Sequence, residues 1–145
     1  MASLAAMTEV LIATDAGAVF AEVEAALADE TTTVRRVRTG QAVAGAVAES
    51  TPDLVILDLQ IGNMGGIAAC LHLRHEAGAG RLPDVPVLIL LDRQADVFLA
   101  RRSGADGWIV KPLDAFSLRK AATAILEGHG TVAVERDLVG DVNPA

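Results

Sequence analysis

Two stretches of this chain, Leu54-Val55-Ile56-Leu57, which runs up to Asp58, and Val87-Leu88-Ile89-Leu90-Leu91, are apolar at consecutive positions rather than at alternate ones. Successive side chains of a strand point to opposite faces of its sheet, so a strand reads this way only when both faces are covered. A parallel sheet with helices packed on both sides meets that requirement.

The rest of the chain supplies the other parts of such a sheet. Residues 9–14 (EVLIAT) form another short apolar run, stopped at Asp15-Ala16-Gly17, and residues 17–28 read as a helix with Phe20, Val23 and Leu27 on one face. TVRRVRT at 33–39 mixes β-branched and polar residues, as an edge strand does, and Gly40 to Glu49 is a second, Ala- and Val-rich helix. After Asp58 comes a turn, Gly62-Asn63-Met64-Gly65-Gly66, then a helix to about His75 with Ile67, Cys70 and Leu73 inward. Beyond the loop EAGAGRLPDVP and the strand 87–91, a helix from about Gln94 to Ser103 ends at Gly104, a natural C-cap residue. Gly107 to Val110 is a fifth strand, closed by Lys111-Pro112, and Asp114 reads as the N-cap of a last helix carrying Leu118, Ala122 and Ile125. From about Gly128 no periodicity is clear. The chain thus divides into an extension at 1–8, a domain at 9–127 and a tail at 128–145 that is expected to be poorly ordered.

Five strands alternating with five helices, joined by right-handed crossovers, fit a doubly wound sheet of order 2-1-3-4-5, the flavodoxin-like arrangement. The chain's 145 residues suit one such domain. In open α/β sheets the functional crevice lies beyond the C-terminal strand ends. Those ends carry Thr14-Asp15, Asp58, Leu91-Asp92 and Lys111-Pro112. Two carboxylates, Asp15 and Asp58, and the Lys111 ammonium therefore converge on one edge. That set suits phosphoryl chemistry: carboxylates and water hold Mg²⁺, a carboxylate can act as nucleophile, and cations neutralise the phosphoryl oxygens.

Composition excludes several other classes. The net charge is −7, with 12 Lys and Arg against 19 acids, which argues against nonspecific nucleic-acid binding. The basic residues Arg35, Arg36 and Arg38, and the pair Arg101 and Arg102, read as solvated faces of an edge strand and a helix. The apolar fraction of 52% comes largely from alanine in helical stretches, and no run approaches the roughly 20 residues that span a bilayer. No secretory pattern opens the chain, and the single Cys70 cannot form an internal disulfide, so a cytoplasmic location is expected. His72 and His75 lack partners at metal spacing, and the glycines of GNMGG lack the lysine and spacing of a nucleotide loop.

The segments VLIATD, DLVILDLQIGNMGG, PVLILLD and SGADGWIVKPLD together resemble the response-regulator receiver family of two-component signalling, from about residue 9 to 127. The resemblance implies Asp58 as phosphoacceptor, Asp15 as a direct Mg²⁺ ligand, Gln60 as a ligand through its backbone carbonyl, and Lys111 as the partner of the acceptor carboxylate. It also implies a cis Lys111-Pro112 bond. Trp108 takes the place of the switch aromatic, on the face made by the fourth helix, fifth strand and fifth helix, where an interface anchor is the favoured reading.

Three positions depart from the family pattern. Thr14 replaces the first of two adjacent acids, so Mg²⁺ affinity should fall, although the hydroxyl can hold a metal-bound water. Leu91 replaces the Ser or Thr whose hydroxyl pulls the loop toward the phosphoryl group. Asp92 replaces a small residue; a carboxylate about 6 Å from the phosphoryl group would cost about 3 kcal/mol at an effective dielectric of 20. The resemblance implies a single-domain regulator that takes a phosphoryl group from a histidine kinase or phosphotransfer protein. Its output would pass to a downstream protein or to a self-dimer, with no nucleic-acid or membrane partner. It would be a signalling substrate rather than a turnover enzyme. The competing reading is a pseudo-receiver, an interaction module independent of phosphate. A Mg²⁺-dependent phosphatase fits poorly, since Gln60 stands where that class places a second acid.

Overall fold

The computed structural model describes residues 7–135. The chain alternates strand and helix: β1 (Thr8–Ala13), α1 (Gly17–Leu27), β2 (Thr32–Val37), α2 (Ala42–Glu49), β3 (Leu54–Asp58), α3 (Gly66–Gly78), β4 (Val87–Leu91), a 3₁₀ turn at Gln94–Asp96, α4 (Val97–Arg102), β5 (Gly107–Val110), α5 (Ala115–Leu126) and β6 (Val132–Val134). All strand pairs are parallel, and the sheet order is β2-β1-β3-β4-β5-β6.

The uniformly apolar runs are explained by two separate cores. Val55, Leu57, Val87, Ile89, Leu91, Trp108 and Val110 face α2, α3 and α4. Leu54, Ile56, Leu88, Leu90 and Ile109 face the opposite layer with residues of α1 and α5. Every residue of β3 and β4 is buried. Asp114 caps α5 by accepting from the Ser117 N–H at 2.8 Å. The expected elements are present, and the sheet has six strands where the sequence indicates five. The added strand, β6, lies at the β5 edge, pairing Gly107 with Val132 and Ile109 with Val134. Three residues are too short a run for periodicity to reveal. The remainder of the tail, from residue 136, and residues 1–6 of the extension lie outside the described residues.

Gly107 is required at that junction: a Cβ there would stand 2.6 Å from the Val132 carbonyl oxygen and 2.9 Å from Ile125 Cδ1. Glu135 fastens the strand further, accepting from Gln94 Nε2 at 2.7 Å and from Trp108 Nε1 at 3.2 Å.

Arg74 of α3 organises the N-terminal rim of the sheet. Its guanidinium reaches the Gly104 carbonyl at 3.0 Å, the Val85 carbonyl at 2.7 Å, Asp84 at 2.9 Å and Asp106 at 2.6 Å. Asp106 also accepts from the Val87 N–H at 2.8 Å. The arginines of β2 are not freely solvated as the sequence suggests. Arg36 stacks on Phe20 and donates to the Thr14 carbonyl at 2.9 Å, while Arg35 donates to the Ala46 and Ser50 carbonyls at the end of α2. Arg101 and Arg102, exposed on α4, lie over Trp108 and Phe98. Among the described residues no helix is long and apolar enough to cross a membrane.

Candidate phosphoacceptor site

The register of the sheet decides which strand-end residues meet. Ala13 is opposite Leu57, so the next residues, Thr14 and Asp58, are neighbours across β1 and β3. Leu91 is opposite Val110, which places Asp92 beside Lys111 across β4 and β5. The chain thereby brings a hydroxyl, two carboxylates and an ammonium into direct contact. Lys111 Nζ donates to Asp58 Oδ1 at 2.7 Å and to Asp92 Oδ1 at 3.0 Å. Thr14 Oγ1 donates to Asp58 Oδ2 at 2.7 Å.

Asp58 is only 2% exposed, and each of its oxygens has a donor. A buried carboxylate is tolerable on those terms. Burial by itself would lower the Lys111 ammonium, but the hydrogen bonds and charges of Asp58 and Asp92 outweigh it and hold the group above its usual range. Asp92 is less well satisfied, because its Oδ2 is buried without a hydrogen-bond partner.

The remaining expected residues flank this group. Asp15 is exposed, and its Oδ2 accepts from the Gly62 N–H at 3.1 Å, so it leans against the loop that follows Asp58. Gln60 is exposed in that same loop. The loop is built to a tight fit. A Cβ on Gly66 would come 2.5 Å from the Asp58 carbonyl oxygen, and a Cβ on Gly40 would overlap the Met64 carbonyl. Gly40 and Gln41 donate to the carbonyls of Gly62 and Asn63 at 3.4 and 3.2 Å. Met64 holds a φ of 76°, a conformation that costs a non-glycine residue about 1–2 kcal/mol. The Lys111–Pro112 bond is cis.

Two expectations need correction. Trp108 is 1% exposed, packed into the core with its N–H on Glu135, so its ring has no free surface with which to anchor a partner. Asp92 is not simply a repulsive charge facing the crevice, because it is the second partner of Lys111. Adjacent strand ends in a parallel sheet were the signal for that pair. Leu91 is fully buried in the core with α3 and α4. Thr14 commits its hydroxyl hydrogen to Asp58 and accepts from the Ala16 N–H at 3.1 Å. Cys70 is buried, and that burial raises its thiol pKa.

Over residues 10–123 the sequence matches the family described as the response regulator receiver domain. The chain belongs to that family. This receiver is 36% identical over 99 residues to the DNA-binding response regulator MtrA of Mycolicibacterium smegmatis, covering 67% of this chain and 41% of that protein. It is 28% identical over 129 residues to the transcriptional regulatory protein CseB of Streptomyces avermitilis, covering 88% of this chain and 52% of CseB. The receiver thus matches about half or less of each of these relatives. Among solved structures, a LuxR-family two-component response regulator from Aurantimonas sp. SI85-9A1 superposes with a TM-score of 0.76 at 25% identity, over 93% of this chain and 94% of the other. The chemotaxis response regulator CheY4 of Vibrio cholerae shares the fold, with a TM-score of 0.71 at 22% identity over 82% of this chain and 98% of that one. Receivers are signalling domains of two-component systems, and the family generally binds Mg²⁺ at its phosphorylation site.

Among the described residues there is no group of three His, Cys, Asp or Glu side chains poised around a metal. The carboxylates of Asp15 and Asp58 nevertheless offer hard oxygen donors, with both Asp58 oxygens also engaged by Thr14 and Lys111. An octahedral cation that keeps several waters needs only one or two carboxylates. The donor set therefore fits Mg²⁺, with one negative charge fewer than a pair of acids at 14 and 15 would give.

Proposed function

We propose that this receiver accepts a phosphoryl group on Asp58 and signals by protein contact. The observation that carries the reading is the Lys111 ammonium, 2.7 Å from a buried carboxylate at the crevice end of β3. In the transfer, an Asp58 carboxylate oxygen forms a bond to phosphorus as the phosphorus–nitrogen bond of a phosphohistidine donor breaks. The imidazole leaves with the electron pair. Lys111 neutralises charge on the phosphoryl oxygens, and Thr14 holds the second Asp58 oxygen in place. Asp15, Asp58 and the Gln60 carbonyl would hold Mg²⁺, which supplies further positive charge. The donor is a histidine kinase or phosphotransfer protein, and the setting is cytoplasmic. Acidic net charge favours a protein over nucleic acid as the output partner of this domain, acting through docking or self-association. A partner that uses the face of α4, β5 and α5 must first deal with β6, which occupies the β5 edge.

The test is incubation with Mg²⁺ and a small phosphodonor such as acetyl phosphate. An acid-stable, base-labile adduct that is absent from Asp58→Asn supports the proposal; no adduct overturns it. The second reading, a phosphate-independent interaction module, is favoured by Leu91, which is sealed in the core where the family's hydroxyl relay would begin. It predicts the same association state with and without phosphodonor.

A further inference from the structure

Leu91 leaves this receiver without a hydroxyl to sense the phosphoryl group, yet the neighbouring position carries a charged residue bound to the site's one ammonium. We propose that Asp92 is the switch-positioning residue of this domain: it holds Lys111 at rest and is exchanged for a phosphoryl oxygen when Asp58 is modified. The inference rests on the acceptor reading of Asp58.

The two carboxylates on Lys111 are held unequally. Asp58 has a side-chain exposure of 3%, a contact of 2.7 Å and a second donor in Thr14. Asp92 has a side-chain exposure of 29%, a contact of 3.0 Å and one oxygen buried without a partner. A phosphoryl group on Asp58 replaces its single carboxylate charge by up to two charges on the phosphoryl oxygens, a net gain of about one negative charge facing the same ammonium. Asp92 and the phosphoryl oxygens then repel each other, and Asp92 is the group free to leave. By swinging out it gains water for its orphaned oxygen, which offsets part of the cost of losing Lys111.

The segment that would move is connected. Asp92 is followed by Arg93, whose backbone N–H and guanidinium both bond Asp96, and by Gln94, which bonds Glu135. Glu135 in turn accepts from Trp108. An outward shift at residue 92 therefore pulls on the clasp between β6 and the indole. The direction is opposite to a hydroxyl drawn inward, and it needs no hydrogen-bonding group at position 91.

The experiment titrates the full chain with beryllofluoride, a phosphoryl mimic, in the presence of Mg²⁺. Calorimetry reads binding and Trp108 fluorescence reads the clasp. Wild type should bind and change its emission. Asp92→Ser and the near-isosteric Asp92→Asn should bind about tenfold more tightly, because no competitor for Lys111 has to be displaced. The same variants should lose most of the Trp108 response. Unchanged affinity in both variants, or a Trp108 response that survives both substitutions, overturns the role of Asp92 while leaving the acceptor reading intact. Absence of binding by wild type, matching Asp58→Asn, overturns the acceptor reading and this inference with it.

Discussion

Trp108 donates its indole N–H to Glu135 at 3.2 Å, and this bond joins the ring buried behind β5 to the strand laid along the edge of β5. The same carboxylate also holds Gln94. Glu135→Ala removes the acceptor from an indole that is almost wholly buried. Stability should fall by about 1–2 kcal/mol in denaturant titration, with a shift in Trp108 emission. Glu135→Gln keeps an oxygen in place and should retain most of that stability.

Gly107→Ala tests the seating of β6 from the other side. The added methyl meets the Val132 carbonyl and Ile125 Cδ1 below ordinary contact distance. Relief requires β6 to lift, at an expected cost of about 1–3 kcal/mol. Amide hydrogen exchange at Val132 and Val134 should accelerate more than exchange in β1 or β3.

Thr14→Asp should exchange a donor for a like charge beside Asp58. Without Mg²⁺ the variant should lose about 2 kcal/mol, since Asp58 Oδ2 loses its hydrogen bond and gains a repulsive neighbour. Added Mg²⁺ should restore the melting temperature of the variant more than it raises that of wild type. Equal Mg²⁺ effects on the two proteins would argue against a cation site next to residue 14.

Lys111 supplies the pH dependence. Its folded-state pKa is raised through Asp58 and Asp92, which outweigh the lowering effect of burial. Its stabilising contribution is therefore complete below the unfolded value of about 10.4 and is lost as pH rises through the higher folded value. Urea midpoints compared between wild type and Lys111→Met should differ by a constant amount from neutral pH to about pH 10, and converge only as pH rises through the higher folded value of Lys111.

Much of this was legible in the residues. The uninterrupted apolar runs of β3 and β4 required cover on both sides, and the placement of Asp15, Asp58 and Lys111 at strand ends followed from the sheet. Four features were not legible. Val132–Val134 is too short to show a period, and its place depends on the missing side chain of Gly107. Trp108 looked like a surface anchor because sequence gives no sign that Glu135 will cover its N–H. Asp92 looked merely repulsive because charge alone does not say which neighbour a side chain turns toward. The contacts of Arg74 likewise depend on loops that converge only in space.

Those contacts of Arg74 set where the domain can give way. One guanidinium stitches the approach to β4 and the approach to β5 onto α3, and Asp106 bonds Val87 directly, so the two loops at that rim are tied together and to the helix. The sheet is bound along that margin like the spine of a book. Whatever event occurs at Asp58, its mechanical consequence must open at the opposite margin, among the turns after β3, β4 and β5.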